Sequence, residues 1–304
     1  MIADSHCDTI SVILDNGVDL LKNDLQLDLE RFKNVGGGLQ FFAAFIAPEH
    51  SGIGRAVDIF DKFYLEYEKN KEDMFLVKSV ADLDLQPGKI GALLTIEGGE
   101  ALGGKISALR MFYRLGVRGM TLTWNGRNEL ADGVGEGDTA GGLSLFGREV
   151  VREMNDLGMF VDVSHLSEKG FWDVVEITQK PIIATHSNCK SLCSHARNLT
   201  DEQIKAIVDM NGMIGINFYS DFLNDSEASI DDIVRHIDRM LGLGAENCVG
   251  FGADLDGVER LPKGFAGVQD FPKVIELLKK AGYSEQLVEK VCWGNMIRYL
   301  KTII

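Results

Sequence analysis

Short apolar runs recur along the chain at residues 2–6, 39–46, 91–96, 118–123, 159–164, 181–185, 212–218 and 248–253. Most are nearly unbroken by polar positions, as in Leu39-Gln-Phe-Phe-Ala-Ala-Phe-Ile46. A strand with one wet face alternates, whereas a strand covered on both faces reads as a continuous run. Between the runs the period lengthens to that of a helix, over Ala56–Lys69, Ile106–Leu115, Ile230–Leu243 and Pro272–Ala281. Thr200-Asp-Glu-Gln203 forms a capping box ahead of Ile204-Lys-Ala-Ile207-Val208. No run is joined to the next by a hairpin turn, so the strands should be parallel and linked by crossover helices. Eight such units predict an α/β fold, a closed (β/α)8 TIM-like barrel. A doubly wound open sheet is the alternative, but it would not gather polar residues at so many strand ends. No repeat, low-complexity tract or linker interrupts the pattern, so residues 1–304 read as one domain. Residues 15–35 and 47–90 are longer connections. The Gly-rich segment 125–143, with Asp132, Glu136 and Asp138, reads as a mobile loop over the barrel mouth.

Composition narrows the function classes. A net charge of −15 with no basic stripe argues against a nucleic-acid partner. No apolar run approaches the ~18 residues a membrane span requires. His6 lies so near the start that a cleaved leader would remove it, which points to a cytoplasmic protein. Five cysteines at irregular spacing read as reduced thiols; Cys189 and Cys193 have the spacing of half a metal site, but no second pair completes it.

The chemistry gathers where the apolar runs stop. His6 and Asp8 close the first run, Glu97 the third, Trp124 and Asn125 the fourth, His165 the fifth and His186 the sixth. Tyr219 closes the seventh, and Asp254 and Asp256 the eighth. One histidine at a strand end is ordinarily a hydrogen-bonded loop residue. The whole set, turned into one barrel mouth, is the ligand inventory of a two-metal hydrolase. Two divalent ions need a bridging anion, and Glu97 is placed to bridge, with His6 and Asp8 on one ion and His165 and His186 on the other. Water between such ions becomes hydroxide near neutral pH. Asp254 or Asp256 would carry its proton to the leaving amine, and Asp254 is first out of its strand. Arg197, in the loop after the sixth run, has the chemistry to clamp a substrate carboxylate. Arg127 and Asn128 are further possible substrate contacts. His195 reads as a loop residue, His50 as part of a connection, and His236 as lying on a helix surface.

Taken together, Asp4-Ser-His-Cys-Asp8, Thr95-Ile-Glu-Gly-Gly99, Leu122-Thr-Trp-Asn125, Val161-Asp-Val-Ser-His165, Ala184-Thr-His-Ser187, Arg197-Asn198, Asn217-Phe-Tyr219 and Gly252-Ala-Asp-Leu-Asp-Gly257 resemble the renal (membrane) dipeptidase family, metallopeptidase family M19. The resemblance runs from Asp4 to Asn295. It implies the same barrel, a two-zinc site at His6, Asp8, Glu97, His165 and His186, and a homodimer. It also implies that Arg197 binds the substrate carboxylate, that Tyr219 touches substrate, that Asp254 transfers the proton, and that a D-residue is tolerated at the C-terminal position of the dipeptide. Trp124 stands where the animal enzymes carry a substrate-contacting histidine, so this chain is similar to the bacterial-type branch. Trp124 and Asn125 are then the substrate contacts at that strand end, and the indole N–H can donate one bond. The competing expectation is another binuclear metal amidohydrolase acting on a non-peptide amide or lactone. Those enzymes commonly begin His-x-His and bridge through a modified lysine, which no strand end here supplies.

Overall fold

In the computed structural model, all residues are described except Ser51, Leu85 and Pro87, which lie within the 47–90 connection. The strands are β1 (Ile2–Asp4), β2 (Gly37–Phe45), β3 (Met74–Leu76), β4 (Ile90–Glu97), β5 (Val117–Thr121), β6 (Phe160–Asp162), β7 (Ile183–Ala184), β8 (Met213–Ile216) and β9 (Val249–Phe251). Every pairing is parallel. The order is β2-β1-β9-β8-β7-β6-β5-β4, and β2 pairs again with β4 from Leu39↔Gly91 to Phe45↔Glu97, closing an eight-stranded barrel. All eight expected strands are present. The short β3 was not expected; it pairs with the start of β4 outside the closed ring, inside a connection read only as helical.

The helices between strands follow their apolar stripes. Ile106–Leu115 buries Ala108, Leu109 and Phe112, and ends at Gly116, whose φ of 110° an L-residue would resist. Thr200 and Gln203 form the expected reciprocal cap. The helix in the long connection begins at Ile53 rather than Ala56.

The barrel is filled, and unevenly. Phe41 of β2 stacks on Phe160 of β6 at 5.5 Å, which places both in the lumen because their strands are not neighbours. Leu93, Ile183 and Met213 join them, and Trp293, Met296 and Tyr299 pack on from the C-terminal helical segment. Elsewhere in the lumen polar groups interlock. Ser5 Oγ lies 2.6 Å from the Thr185 carbonyl oxygen and 2.9 Å from the Phe251 carbonyl oxygen, and its one proton is shared between them. Gly252 makes this approach possible, since a Cβ there would lie 1.8 Å from the Thr185 oxygen. We therefore expect Gly252→Ala to destabilise the fold by at least about 2 kcal/mol, because backbone cannot swing aside as a side chain can. Gly54→Ala, on a helix with open space around it, should be neutral or slightly stabilising. Urea midpoints at unchanged slope check both, and equal midpoints would refute the close packing at Gly252.

Candidate metal centre

At the carboxyl ends of the barrel strands the chain leaves regular structure, and there the polar residues converge. Glu97 is the last residue of β4, and His6, His165, His186 and Asp254 follow β1, β6, β7 and β9. His165 and Asp254 have φ of 64° and 62°. Left-handed backbone costs a non-glycine residue about 1–2 kcal/mol, and here it turns each side chain back into the mouth.

The five expected metal ligands come together, all buried. Glu97 divides its oxygens: Oε2 lies 3.1 Å from His6 Nε2, while Oε1 lies 2.9 Å from His165 Nε2 and 3.6 Å from His186 Nε2. Asp8 Oδ2 is 3.7 Å from His6 Nε2, and its buried Oδ1 has no hydrogen-bond partner. Three groups among the described residues have the compactness of ion sites: His6–Asp8–Glu97 and Glu97–His165–His186, which share the glutamate, and His6–Asp162–His186, whose carboxylate is already engaged by Thr121, Thr185 and the Ser164 amide.

The histidine tautomers test whether cations fit. His165 Nδ1 donates to Asn125 Oδ1 and His186 Nδ1 to Thr185 Oγ1, both at 2.8 Å. Their Nε2 atoms then face each other as bare lone pairs, 2.8 Å apart. Burial pushes both imidazoles well below their ordinary pKa, with Arg197 and His6 adding to the effect, so neither carries a second proton near neutrality. Two lone pairs at that separation repel unless positive charge lies against them. The carboxylates agree: burial pushes Glu97 up to about 7 against the counter-pull of His6, and also raises Asp254. Burial would press His6 down, but Glu97 and Asp8 hold it well above its usual value. The donor set, with one orphaned carboxylate oxygen and two opposed imidazoles, fits divalent metal.

The remaining residues divide. Asp254 faces the centre, its Oδ1 3.7 Å from His6 Nε2, while Oδ2 accepts from Asn217 Nδ2 at 2.8 Å. Asp256 is engaged elsewhere, with Oδ2 accepting from Thr9 Oγ1 at 2.6 Å and Oδ1 from the Gln26 amide at 2.7 Å. Trp124, Asn125 and Tyr219 line a cavity of about 460 Å³ that opens onto Asp8, Glu97, His165 and Asp254. Arg197 lies outside that wall, in a crevice of about 40 Å³ beside His165. Its guanidinium is buried, its Nη2 donates to the His186 carbonyl at 3.2 Å, and its Nε has no partner. No carboxylate among the described residues lies within ion-pairing distance of it. Burial draws its pKa down to about 10.

Several expectations change. Arg127 is held by Asp132 through bonds of 2.6 and 3.0 Å. Asn128 braces its own loop, donating to the Leu122 carbonyl and accepting from the Leu130 amide. With these bonds and the Val134-to-His165 backbone bond, segment 125–143 is fastened across the mouth rather than left free. His236 is fully buried, not on a helix surface: it accepts from the Cys189 amide at 3.0 Å and donates to the Leu223 carbonyl at 2.9 Å. Its place three residues after Ile233 and four before Met240 was the available signal. Cys189 and Cys193 are buried free thiols and join none of the metal-compatible groups found among the described residues. His50, with Glu49 and Arg55, lines the outer cavity wall, which sequence reading had missed.

A parallel (β/α)8 barrel with buried histidines and carboxylates at its carboxyl mouth defines a metal-dependent barrel hydrolase. Comparison with known proteins narrows that class. The family model for membrane dipeptidase (peptidase family M19) matches residues 1–303, and the chain belongs to this family. It is thereby a metal-dependent dipeptidase. Among curated relatives, the dipeptidase aclJ of Aspergillus oryzae is 35% identical over 292 residues, covering 90% of this chain and 69% of the relative. Among solved structures, an M19 metallopeptidase described as dipeptidase AC superposes with a TM-score of 0.93 at 30% identity, covering 99% of this chain and 98% of its own. A Rhodobacter sphaeroides metallopeptidase, bound to a phosphinate mimic of the dipeptide L-Ala-D-Ala, gives 0.92 at 28% identity, covering 100% and 99%.

Proposed function

We propose that the chain is a two-zinc dipeptidase of the L,D type, and that Glu97 is shared between its ions. The observation that carries this reading is the division of the Glu97 oxygens between His6 and the His165–His186 pair. His6 and Asp8 would hold one ion, and His165 and His186 the other. Bound there, zinc would lower the pKa of water towards neutrality and polarise the scissile carbonyl.

The chain's own side chains do the rest. Arg197, a buried cation in the crevice beside His165 with no carboxylate partner of its own, would take the terminal carboxylate of a substrate that reaches past His165 from the cavity, which limits substrates to two residues. Tyr219 and Trp124 form apolar wall, and Asn125 holds the His165 ring by its Nδ1. Asp254, steadied by Asn217, accepts a proton from water and delivers it to the departing amine. The Rhodobacter sphaeroides enzyme's L-Ala-D-Ala mimic supports a D-residue at the second position. Five buried free thiols suit a reducing, cytoplasmic setting. No helix among the described residues is long and apolar enough to cross a membrane. We take residues 1–304 as one domain, on the uninterrupted strand–helix pattern, and the working form as a homodimer, on the family resemblance.

Amine release from L,L-, L,D- and D,D-dipeptides by zinc-loaded protein, with chelator-treated protein as control, tests the function. The expected result is chelator-sensitive cleavage of L,D-dipeptides, with C-amidated analogues at least about 100-fold poorer because Arg197 loses its ion pair. Silence on every dipeptide, with turnover of a lactone or cyclic amide, would move the enzyme to the non-peptide hydrolases.

A further inference from the structure

Behind His186 lies a carboxylate that neither lines the cavity nor belongs to the proposed ligand set. Asp162, the last residue of β6, is buried. Its Oδ1 accepts from the Ser164 amide at 2.9 Å and the Thr185 amide at 3.0 Å. Its Oδ2 accepts from Thr121 Oγ1 at 2.5 Å and from the Thr185 hydroxyl. An ionised carboxylate only accepts, so the one proton of the Thr185 hydroxyl is committed to Asp162. Thr185 Oγ1 then meets His186 Nδ1, 2.8 Å away, as an acceptor. The chain of bonds therefore runs one way. His186 must carry its proton on Nδ1, and its Nε2 must present a lone pair towards Glu97 and His165.

His165 is held differently. Its Nδ1 partner is the neutral Asn125 amide, at the edge of the cavity. The two imidazoles proposed to share an ion thus differ in their support, one backed by a neutral amide and the other by a buried carboxylate through a hydroxyl. Orienting partners of this kind typically change metal affinity about 10–100-fold.

We propose that Asp162 and Thr185 are positioning residues that fix the tautomer and pitch of the His186 ring, and thereby set the affinity of the ion held by His165 and His186. This rests on the two-ion reading above. A purely structural role would account for the bonds from Thr121 and the two backbone amides, which tie β5, β6 and β7 together. It would not need the Thr185 hydroxyl to face His186.

Thr185→Val removes that hydroxyl while keeping the side chain's shape, and Thr185→Ser keeps it while removing a methyl. Zinc titration against a chromogenic chelator should show two tightly held ions in the wild-type protein and in Thr185→Ser. In Thr185→Val one ion should be held as before and the other about 10–100-fold more weakly. His186→Ala provides the reference for loss of the second ion. In metal-free protein, ¹⁵N imidazole shifts should report an Nδ1-protonated His186 in the wild type and a tautomer mixture in Thr185→Val. Asp162 also loses a hydrogen bond in Thr185→Val, so that metal-free protein should melt below the wild type, and the titrations are run well below both melting temperatures. If Thr185→Val does not fold, Thr185→Ala compared with Thr185→Ser makes the same comparison without added bulk. Two ions bound equally well without the hydroxyl would overturn the positioning role and leave the two-ion reading intact. Fewer than two ions in the wild-type protein would overturn that reading, and this proposal with it.

Discussion

Glu97→Gln should lower kcat/KM for a dipeptide by at least about 10³-fold, or about 4 kcal/mol in transition-state stabilisation. The substitution keeps the shape of the side chain and replaces a charged acceptor by a neutral amide. In the native arrangement one oxygen faces His6 and the other faces His165 and His186, so the loss reaches both halves of the centre at once. The amide can offer an oxygen to one half only, and its NH₂ turns towards the other. Metal retained after gel filtration should fall below two ions per chain. Stability moves the opposite way. Burial raises the Glu97 pKa, so the metal-free fold bears the cost of an enclosed carboxylate, and the metal-free variant should melt no lower than the wild type. Lost activity, lost metal and retained stability in the same variant would separate bridging from a structural role. Full turnover in Glu97→Gln would end the two-ion scheme.

That the site could be read from sequence at all follows from the barrel. A parallel strand buried on both faces leaves an unbroken apolar signature, so the polar residue that ends it stands out, as Glu97 does after Ile90–Ile96. The barrel then converts strand ends into spatial neighbours, bringing His6 and Glu97 to 3.1 Å across 91 residues of chain. Where an element was too short to have a period, as in β3, the pattern was silent. The supporting shell was silent for another reason. Asp162, Thr185 and Asn217 are ordinary residues in apolar surroundings, and their importance lies in which oxygen points at which hydrogen. Nothing in one-dimensional spacing encodes that direction. Asp162 was the nearest to legible: it lies two residues after lumen-facing Phe160, and alternation turns it to the same side. The fate of Arg127 was likewise hidden, because Asp132 can pair with it only after the loop has folded back.

Asp254→Asn should lower kcat for dipeptides by about 10²–10⁴-fold, with little change in KM and both ions retained. Asp254 belongs to none of the three groups compact enough to hold an ion, so its loss should spare metal content. The asparagine Oδ1 can still accept from Asn217, which keeps the side chain in place. What disappears is a group able to take a proton and return it. An amide nitrogen cannot leave as an anion, whereas an ester oxygen can leave with far less help. The variant should therefore be impaired much more on a dipeptide than on the matching depsipeptide, in which an ester replaces the amide. Asp256→Asn provides the contrast. Its oxygens accept from Thr9 and Gln26, so the amide disturbs a structural clasp and should cost about 1–3 kcal/mol of stability with a smaller effect on kcat. If Asp254→Asn slowed amide and ester alike, the carboxylate would act through charge or position alone, and proton delivery would have to come from another group at the mouth. A deficit confined to the amide assigns the proton transfer to Asp254.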